Sequence, residues 1–491
     1  MITRFKVDGF KNLIETDLMF GPFTCIAGVN AVGKSNLFDA LKFLSLLASE
    51  EITSAASRVR SEGQKASDIR DLFHKIGDSH RPRISFEVDL IIPTSAIDEL
   101  GATAAASITT VRYTLILKLK SDVDFTFIEV EKEELAPISL REARSNVLFK
   151  ADTKWKKKVI EGRRSSNFIS TEEKTEGRTV VRLHQDQEKG KPFDRDPSKM
   201  TRTALSTVSA EFPTAYVVRE ELRSWTLLQL EPSSLRKSDG FEQRRNARIQ
   251  ADGSLLPSTV HRLQNEFPDR DIMQELANRL SELIDDVGEI TIDKDERRQL
   301  LTLNLKTAGG ILYPARSLSD GTLRFLALTV MELDVYSGGV LCLEEPENGI
   351  HPKKIPAMLR LLQDIACDSK FESDLHQGNP LRQVIINTHS PLVVQQVPED
   401  SLLMAESEEA WDEAAKKRFK RAVFKPLSNT WRTNYGTAKE EIISKGAMIS
   451  YLGEVSASVF AEPPQVYMPM KGKVRRVADR EDTRQLKLEL R

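Results

Sequence analysis

Apolar and polar residues alternate from the first positions of the chain. "ITRFKVDGFKNL", residues 2–13, reads as a strand pair turning at Asp8-Gly9, and "ETDLMF" continues it. The next run, "FTCIAG", is apolar and β-prone, while "NLFDALKFLSLLAS" spaces its apolar residues as a helix does, so a helix is predicted from Asn36 to about Glu50. Residues 51–81 are polar and loosely helical. "RISFEVDLII" and "VRYTLILKLK" then alternate like neighbouring antiparallel strands, with "FTFIEVEKEEL" a third. From 137 to 212 the apolar anchors thin out, and "KWKKKVIEGRRSSN" and "DQEKGKPFDRDPSK" predict exposed hairpins or a mobile insertion. Order returns with a strand and turn in "WTLLQLEPSSLR" (225–236) and a periodic helix in "DIMQELANRLSELIDDVGEI" (271–290). A long helix from Thr322 to about Tyr336 and two apolar strands, "GGVLCLE" and "QVIINT", follow. No heptad pattern is sustained, so no long coiled coil is expected.

Composition adds limits more than identity. The 491 residues allow two or three domains, and 71 basic against 73 acidic side chains leave no global field to attract nucleic acid or membrane. Such contacts would need local patches. "KWKKK" (154–158), "RRNAR" (244–248), "KKRFKR" (416–421) and "KGKVRR" (471–476) are candidates, with Trp155 and Phe419 interleaved in two of them; solvated surface is the commoner meaning of such runs. Cys25, Cys342 and Cys367 are too far apart for a zinc knuckle. No run approaches the ~20 apolar residues of a membrane helix and the first residues read as a strand, so a cytoplasmic protein without a membrane partner is expected.

The chemistry begins between the first apolar strand and its helix. "GVNAVGKSN" has the pattern Gly28-x-x-x-x-Gly33-Lys34-Ser35, in which glycines let backbone N–H groups face phosphate oxygens and the helix dipole adds positive charge. Lys34 would reach the β- and γ-phosphates and Ser35 would ligate Mg²⁺, with Asn30 and Asn36 in the same loop. Downstream, "GGVLCLEEPENGIHP" (338–352) ends an apolar strand in Glu344 and Glu345, a pair costly to bury without a cation. Glu344 suits the metal; Glu345 is free to orient or deprotonate a water. "QVIINTHSP" (383–391) ends another strand at His389, which could donate to a γ-phosphate. Ser319, Asp320 and Gly321 open the long helix, where hydroxyl and backbone N–H groups can meet an anion or form an ordinary cap.

The ordered series Gly28 to Ser35, "LSDGT" (318–322), "VLCLEEPE" (340–347) and "NTHSP" (387–391) resembles the ABC-type ATPases, with their Walker A, signature, Walker B and switch histidine. "LSDGTLR", "EEPENGIHP" and "NTHSP" are similar to the branch related to the OLD (overcoming lysogenization defect) proteins, which includes ATPase subunits of anti-phage systems and whose head is similar to SMC and repair ATPases. The resemblance implies an α/β ABC-type head, with a mixed antiparallel β lobe, a parallel-sheet core and a helical lobe. It implies ATP and Mg²⁺ as cofactors and a head-to-head homodimer in which Ser319, Asp320 and Gly321 meet the partner's nucleotide. Glu344 stands where most relatives carry aspartate, and His351 where many carry the D-loop aspartate. The Mg²⁺-sensing glutamine is not evident; Gln64, before "DIRDLFHKIGD", is one candidate.

On this reading residues 1–136 form the N-terminal ATPase lobe, 137–212 a charged insertion, 213–405 the C-terminal ATPase lobe and 406–491 an extension that docks a partner or packs on the core. "AESEEAWDEAAKKRFKRAVF" puts its acids on a helix-like stretch, which disfavours a two-metal nuclease in this chain. The expected function is an ATP-driven dimeric switch or scaffold controlling a separately encoded effector, a nuclease or toxin, in anti-phage defence. The alternative is an SMC/repair-type clamp acting on duplex DNA.

Overall fold

The computed structural model describes the chain apart from residues 60–67, 123–124, 175–177, 187–192, 244–246, 372–378, 414, 435–441, 454–474 and 481–491. Gln64, most of the "RRNAR" and "KGKVRR" clusters and the closing "EDTRQLKLELR" lie outside the described residues. The fold is mixed α/β and divides into two compact units. One comprises Met1–Thr226, Ser369–Ser373 and Leu403–Ile443; the other comprises Leu227–Asp368, Asp374–Leu402 and Ser444–Arg491.

The first unit is organised by an antiparallel sheet of 8 strands. Their spatial order is Phe193–Arg195, Thr179–Leu183, Ile169–Glu173, Thr126–Pro137, Thr110–Ser121, Arg83–Ile91, Ile2–Asp8 and Thr16–Met19. Alternation places Phe5, Val7, Phe86, Val88, Leu115 and Leu117 inside. The predicted hairpin at Asp8-Gly9 is longer than the pattern suggested. Ile2–Asp8 pairs with Thr16–Met19, in the register Arg4↔Met19 and Val7↔Thr16, and residues 9–15 connect them. Gly9 (φ +83°) sits where a Cβ would lie 2.2 Å from the Arg83 carbonyl oxygen, so the chain must turn there.

Residues 137–212 do hold hairpins, but they are anchored rather than loose. Ile169–Glu173 extends the main sheet from Leu135, and Ile169, Val181 and Leu183 are buried. Trp155, read from sequence as a nucleic-acid candidate, is fully buried and meets Phe149 edge-on at 5.8 Å. A basic helix, Thr153–Val159, thus uses its aromatic residue as a root.

A second sheet region in this unit sets the fully buried strand Phe23–Ala27 beside an antiparallel hairpin, Leu402–Asp412 and Lys417–Pro426. This corrects the helix-like reading of 405–424. The hairpin is held by cross-strand charge pairs: Lys425 to Glu406 (3.0 Å) and Glu408 (2.7 Å), Arg421 to Glu408 (3.5 Å) and Arg418 to Glu409 (3.5 Å). Alanine, glutamate and lysine favour helix in isolation, and strand pairing overrides that preference.

In the second unit, strand Gly339–Glu344 runs parallel to Arg382–Thr388, all of whose residues are buried. A smaller antiparallel sheet contains Glu289–Asp295 and Leu300–Lys306. The helix predicted over 271–290 is confined to Ile272–Ser281; the polar "IDDVGE" ends it and the strand Glu289–Asp295 follows. Helix Asp320–Leu333 is buried along most of its length, and Arg262, itself buried, closes on Asp334 at 2.6 Å. Among the described residues the longest helices, Lys34–Leu47 and Asp320–Leu333, have 14 residues, so no long coiled coil is present. None of the described helices is long and apolar enough to cross a membrane.

Candidate nucleotide and catalytic site

The phosphate-binding pattern folds as strand, loop and helix. Phe23–Ala27 is buried throughout, and helix Lys34–Leu47 starts at Gly33 with no side-chain cap and no acidic residue in its first turn. No acidic side chain offsets the positive end of its dipole there, and Asn36 N donates to the Gly33 carbonyl at 3.1 Å. Two glycines are needed on steric grounds. A Cβ on Gly28 would lie 2.5 Å from the Ala405 carbonyl oxygen, and one on Gly33 (φ +112°) would lie 2.5 Å from Asn12 Nδ2. Lys34 is buried and curls back over the loop, its Nζ donating to the carbonyls of Gly28 (2.7 Å) and Val29 (2.8 Å). Asn30 stands on the exposed tip; Ser35 and Asn36 are half-buried at the helix start.

Asn12 is a loop brace that the sequence did not reveal. Its Nδ2 donates to the Val32 carbonyl at 3.2 Å, and its Oδ1 accepts from Asn36 Nδ2 at 2.7 Å. Next to it, Lys11 pairs with buried Asp39 at 2.6 Å, tying the same connection to the helix. Asn12 also lines a cavity of about 330 Å³ with Lys11, Phe73, His74, Arg418 and Phe419. His74 Nδ1 lies 2.5 Å from the Lys11 carbonyl oxygen, and its ring meets Phe419 edge-on at 4.9 Å. Burial holds the imidazole below its usual range, so the neutral ring donates from Nδ1 and keeps Nε2 as an acceptor, which has no hydrogen-bond partner among the described residues.

The acidic group belongs to the second unit. Glu344 ends its strand opposite Asn387, whose Nδ2 donates to Glu344 Oε1 at 3.1 Å. Glu345 follows with φ +46°, a left-handed turn that throws its side chain off the strand direction. Its N–H donates to the Asn387 carbonyl at 3.0 Å, its Oε1 meets His389 Nδ1 at 2.6 Å, and its Oε2 accepts from Asn348 Nδ2 at 3.0 Å. Glu345 and His389, chosen separately from sequence, are thus brought into contact.

The desolvation argument made for the Glu344 and Glu345 pair needs correction. Glu344 is exposed and Glu345 half-exposed; the costly carboxylate is Glu347, which is only 8% exposed. Thr388 Oγ1 donates to Glu347 Oε1, while Oε2 has no partner among the described residues, and burial pushes the carboxyl above its ordinary range. The strand is buried only through Leu343, so the chain reaches solvent one residue earlier than its apolar run implied.

Ser319 caps helix Asp320–Leu333 by accepting from Thr322 N at 3.2 Å. Asp320 is held by Arg236, which also donates to the Leu318 carbonyl at 3.1 Å. Gly321 is buried so closely that a Cβ would lie 2.3 Å from the Gly349 carbonyl oxygen. Ser319 and Asp320 remain exposed at the helix start.

Comparison with known proteins places the chain in a family. A family profile described as "AAA domain, putative AbiEii toxin, Type IV TA system" matches residues 23–171 and 139–395. The chain belongs to this family and is a nucleotide-binding, ATP-hydrolysing enzyme. No curated protein matches it. Among solved structures it is similar to an SMC head bound to the C-terminal winged-helix domain of ScpA, at 14% identity and a TM-score of 0.46, covering 87% of this chain and 98% of that one. An SMC head with an extended coiled coil bound to the C-terminal domain of ScpA, from Pyrococcus furiosus, gives 12% identity, a TM-score of 0.42 and coverage of 86% and 96%. The SMC head domain of Thermotoga maritima gives 12%, 0.34, and 87% and 99%.

Proposed function

We propose that the chain is a head of the SMC/repair type: it binds ATP with Mg²⁺, closes head to head on a second copy and uses that closure to clamp duplex DNA. The observation that carries the hydrolytic part is the contact between Glu345 and His389 at the end of the parallel strands. Lys34, released from the carbonyls of Gly28 and Val29, would neutralise phosphate oxygens, and the uncapped helix start would add its N–H groups. Glu345 would accept the proton of the attacking water, and His389 would donate to the γ-phosphate. The cavity beside Asn12 would receive the base, with Phe419 and His74 among its walls.

Ser35 would offer Mg²⁺ a hydroxyl and Glu344 an exposed carboxylate. Magnesium keeps waters and phosphate oxygens around one or two protein ligands, and when bound it neutralises phosphate charge. Ser319 and Gly321 would meet the partner's γ-phosphate. Because those contacts exist only with ATP in place, nucleotide would shift the population toward the closed dimer.

Exposed Lys417, Arg418 and Lys420 on the 417–426 strand favour the DNA reading, since hairpin side chains can track a phosphate backbone. A second reading, an OLD-like ATP-driven switch that holds an effector such as a nuclease or toxin, is favoured by the toxin named in the family description. Titrating duplex DNA against the Glu345→Gln protein with ATP, over a range of salt, separates the two. ATP-dependent binding that weakens steeply with salt supports the clamp; no binding to DNA by an ATP-bound dimer rejects it in favour of the switch.

A further inference from the structure

The loop that carries Glu345 is a closed turn. Asn348 N donates to the Glu345 carbonyl at 3.0 Å, Ile350 N donates to the Glu347 carbonyl at 3.0 Å, and Gly349 adopts φ +80°. This turn is gripped from outside by the helix that follows Ser319. Arg324, in the first turns of that helix, donates from Nη1 to the Asn348 carbonyl at 3.0 Å and from Nε to the Leu230 carbonyl at 3.1 Å. Gly321 packs on the next peptide, at the Gly349 carbonyl. Asn348 therefore has its backbone fixed by the helix while its side chain fixes Glu345, donating to Oε2 at 3.0 Å.

We propose that Arg324 and Asn348 are positioning residues for hydrolysis: Arg324 pins the Asn348 peptide, and Asn348 orients the Glu345 carboxylate so that it faces the attacking water. The inference rests on the reading of Glu345 as the water-activating group. With His389 on one oxygen and Asn348 on the other, the carboxylate plane is held against rotation. An orientation fixed in advance lowers the cost of reaching the transition state, and truncating a remote support loosens it. The same bonds give the helix bearing Ser319, Asp320 and Gly321 a mechanical hold on the Glu345 side chain, so a contact made at the helix start would be felt at the carboxylate.

The test uses the full chain and steady-state ATP hydrolysis, with nucleotide affinity measured separately by a fluorescent ATP analogue. Asn348→Ala is expected to lower kcat by roughly tenfold with KM and analogue affinity unchanged, the size of one hydrogen bond to a charged group lost in the transition state. Arg324→Ala should lower kcat alone as well, and should add nothing further in the Asn348→Ala background, because both act through one carboxylate. Arg324→Lys, which can still donate to the Asn348 carbonyl, should recover part of the rate. Asn348 is exposed, so its truncation leaves the core intact; thermal melting verifies this, and the inference stands on that variant if Arg324→Ala does not fold. If Glu345→Gln is inactive while Asn348→Ala keeps the wild-type kcat, or if KM moves in step with kcat, the positioning role is overturned alone. If Glu345→Gln hydrolyses ATP at the wild-type rate, the reading beneath it falls too.

Discussion

The glycine-rich loop and the acidic strand end are built from different materials. Around Gly28 to Ser35 the chain presents backbone: glycines admit close approach, a helix starts without a side-chain cap, and Lys34 is parked on two carbonyls. Around Glu344 to Glu347 it presents side chains, each oriented by another: Asn387 on Glu344, His389 and Asn348 on Glu345, Thr388 on Glu347. A backbone site is fixed by conformation and tolerates few changes of shape. A side-chain site is fixed by mutual hydrogen bonds and can be dismantled one bond at a time without disturbing the fold.

That contrast is sharpened most by Glu345→Gln. It should lower kcat by about 10³-fold, within the range of general-base contributions, while nucleotide affinity persists; rapid turnover in this variant would break the distinction. Lys34→Ala should weaken nucleotide binding by about 10²-fold in a direct titration, since one charge-assisted contact with phosphate is lost, and affinity near the wild-type value would remove Lys34 from the site. Gly28→Ala probes shape alone. The added methyl must push against the Ala405 peptide, and melting should report about 1–3 kcal/mol of destabilisation, the usual cost of overpacking. An unchanged midpoint would mean the loop gives way more easily than its packing implies.

The smallest effect concerns Glu347 and appears in the dependence of stability on pH. Its folded carboxyl titrates above the ordinary range because of burial. The stabilisation linked to its proton is therefore complete below the unfolded value and is lost as pH rises through the raised one. Glu347→Gln is neutral at every pH. Its midpoint relative to wild type should rise as pH increases across that interval, and parallel curves for the two proteins would show that Glu347 carries no such linkage.

The backbone-built region was the more legible from sequence. Glycine spacing and the switch from an apolar strand to a helical period state the loop directly, and Phe23–Ala27 and Lys34–Leu47 fall where the pattern puts them. Glu345 and His389 were legible as types at strand ends, but their contact depends on strands 382–388 and 339–344 pairing in parallel, which no local signal encodes. Asn348 and Glu347 escaped notice because their roles arise from a tight turn; Pro346 and Gly349 around them were the available hint. Asn12 lies in the 9–15 connection, which the alternation reads as strand, and His74 lies just before the strand Lys75–Ile76, in a stretch whose pattern reads as loosely helical. The 402–426 hairpin was missed for a related reason: its residues favour helix singly, and its alternating charges become informative only when the partner strand is present.

Cys342 lies two residues before Glu344, in a strand buried from Gly339 through Leu343, and burial pushes its thiol far above the ordinary range. Cys25 and Cys367 are likewise covered, and none of the three is in a disulfide. The molecule consequently carries its own reporters: maleimide or dithionitrobenzoate can label these sulfurs only when the surrounding strands part, and the labelling rate, with and without nucleotide, would time that opening.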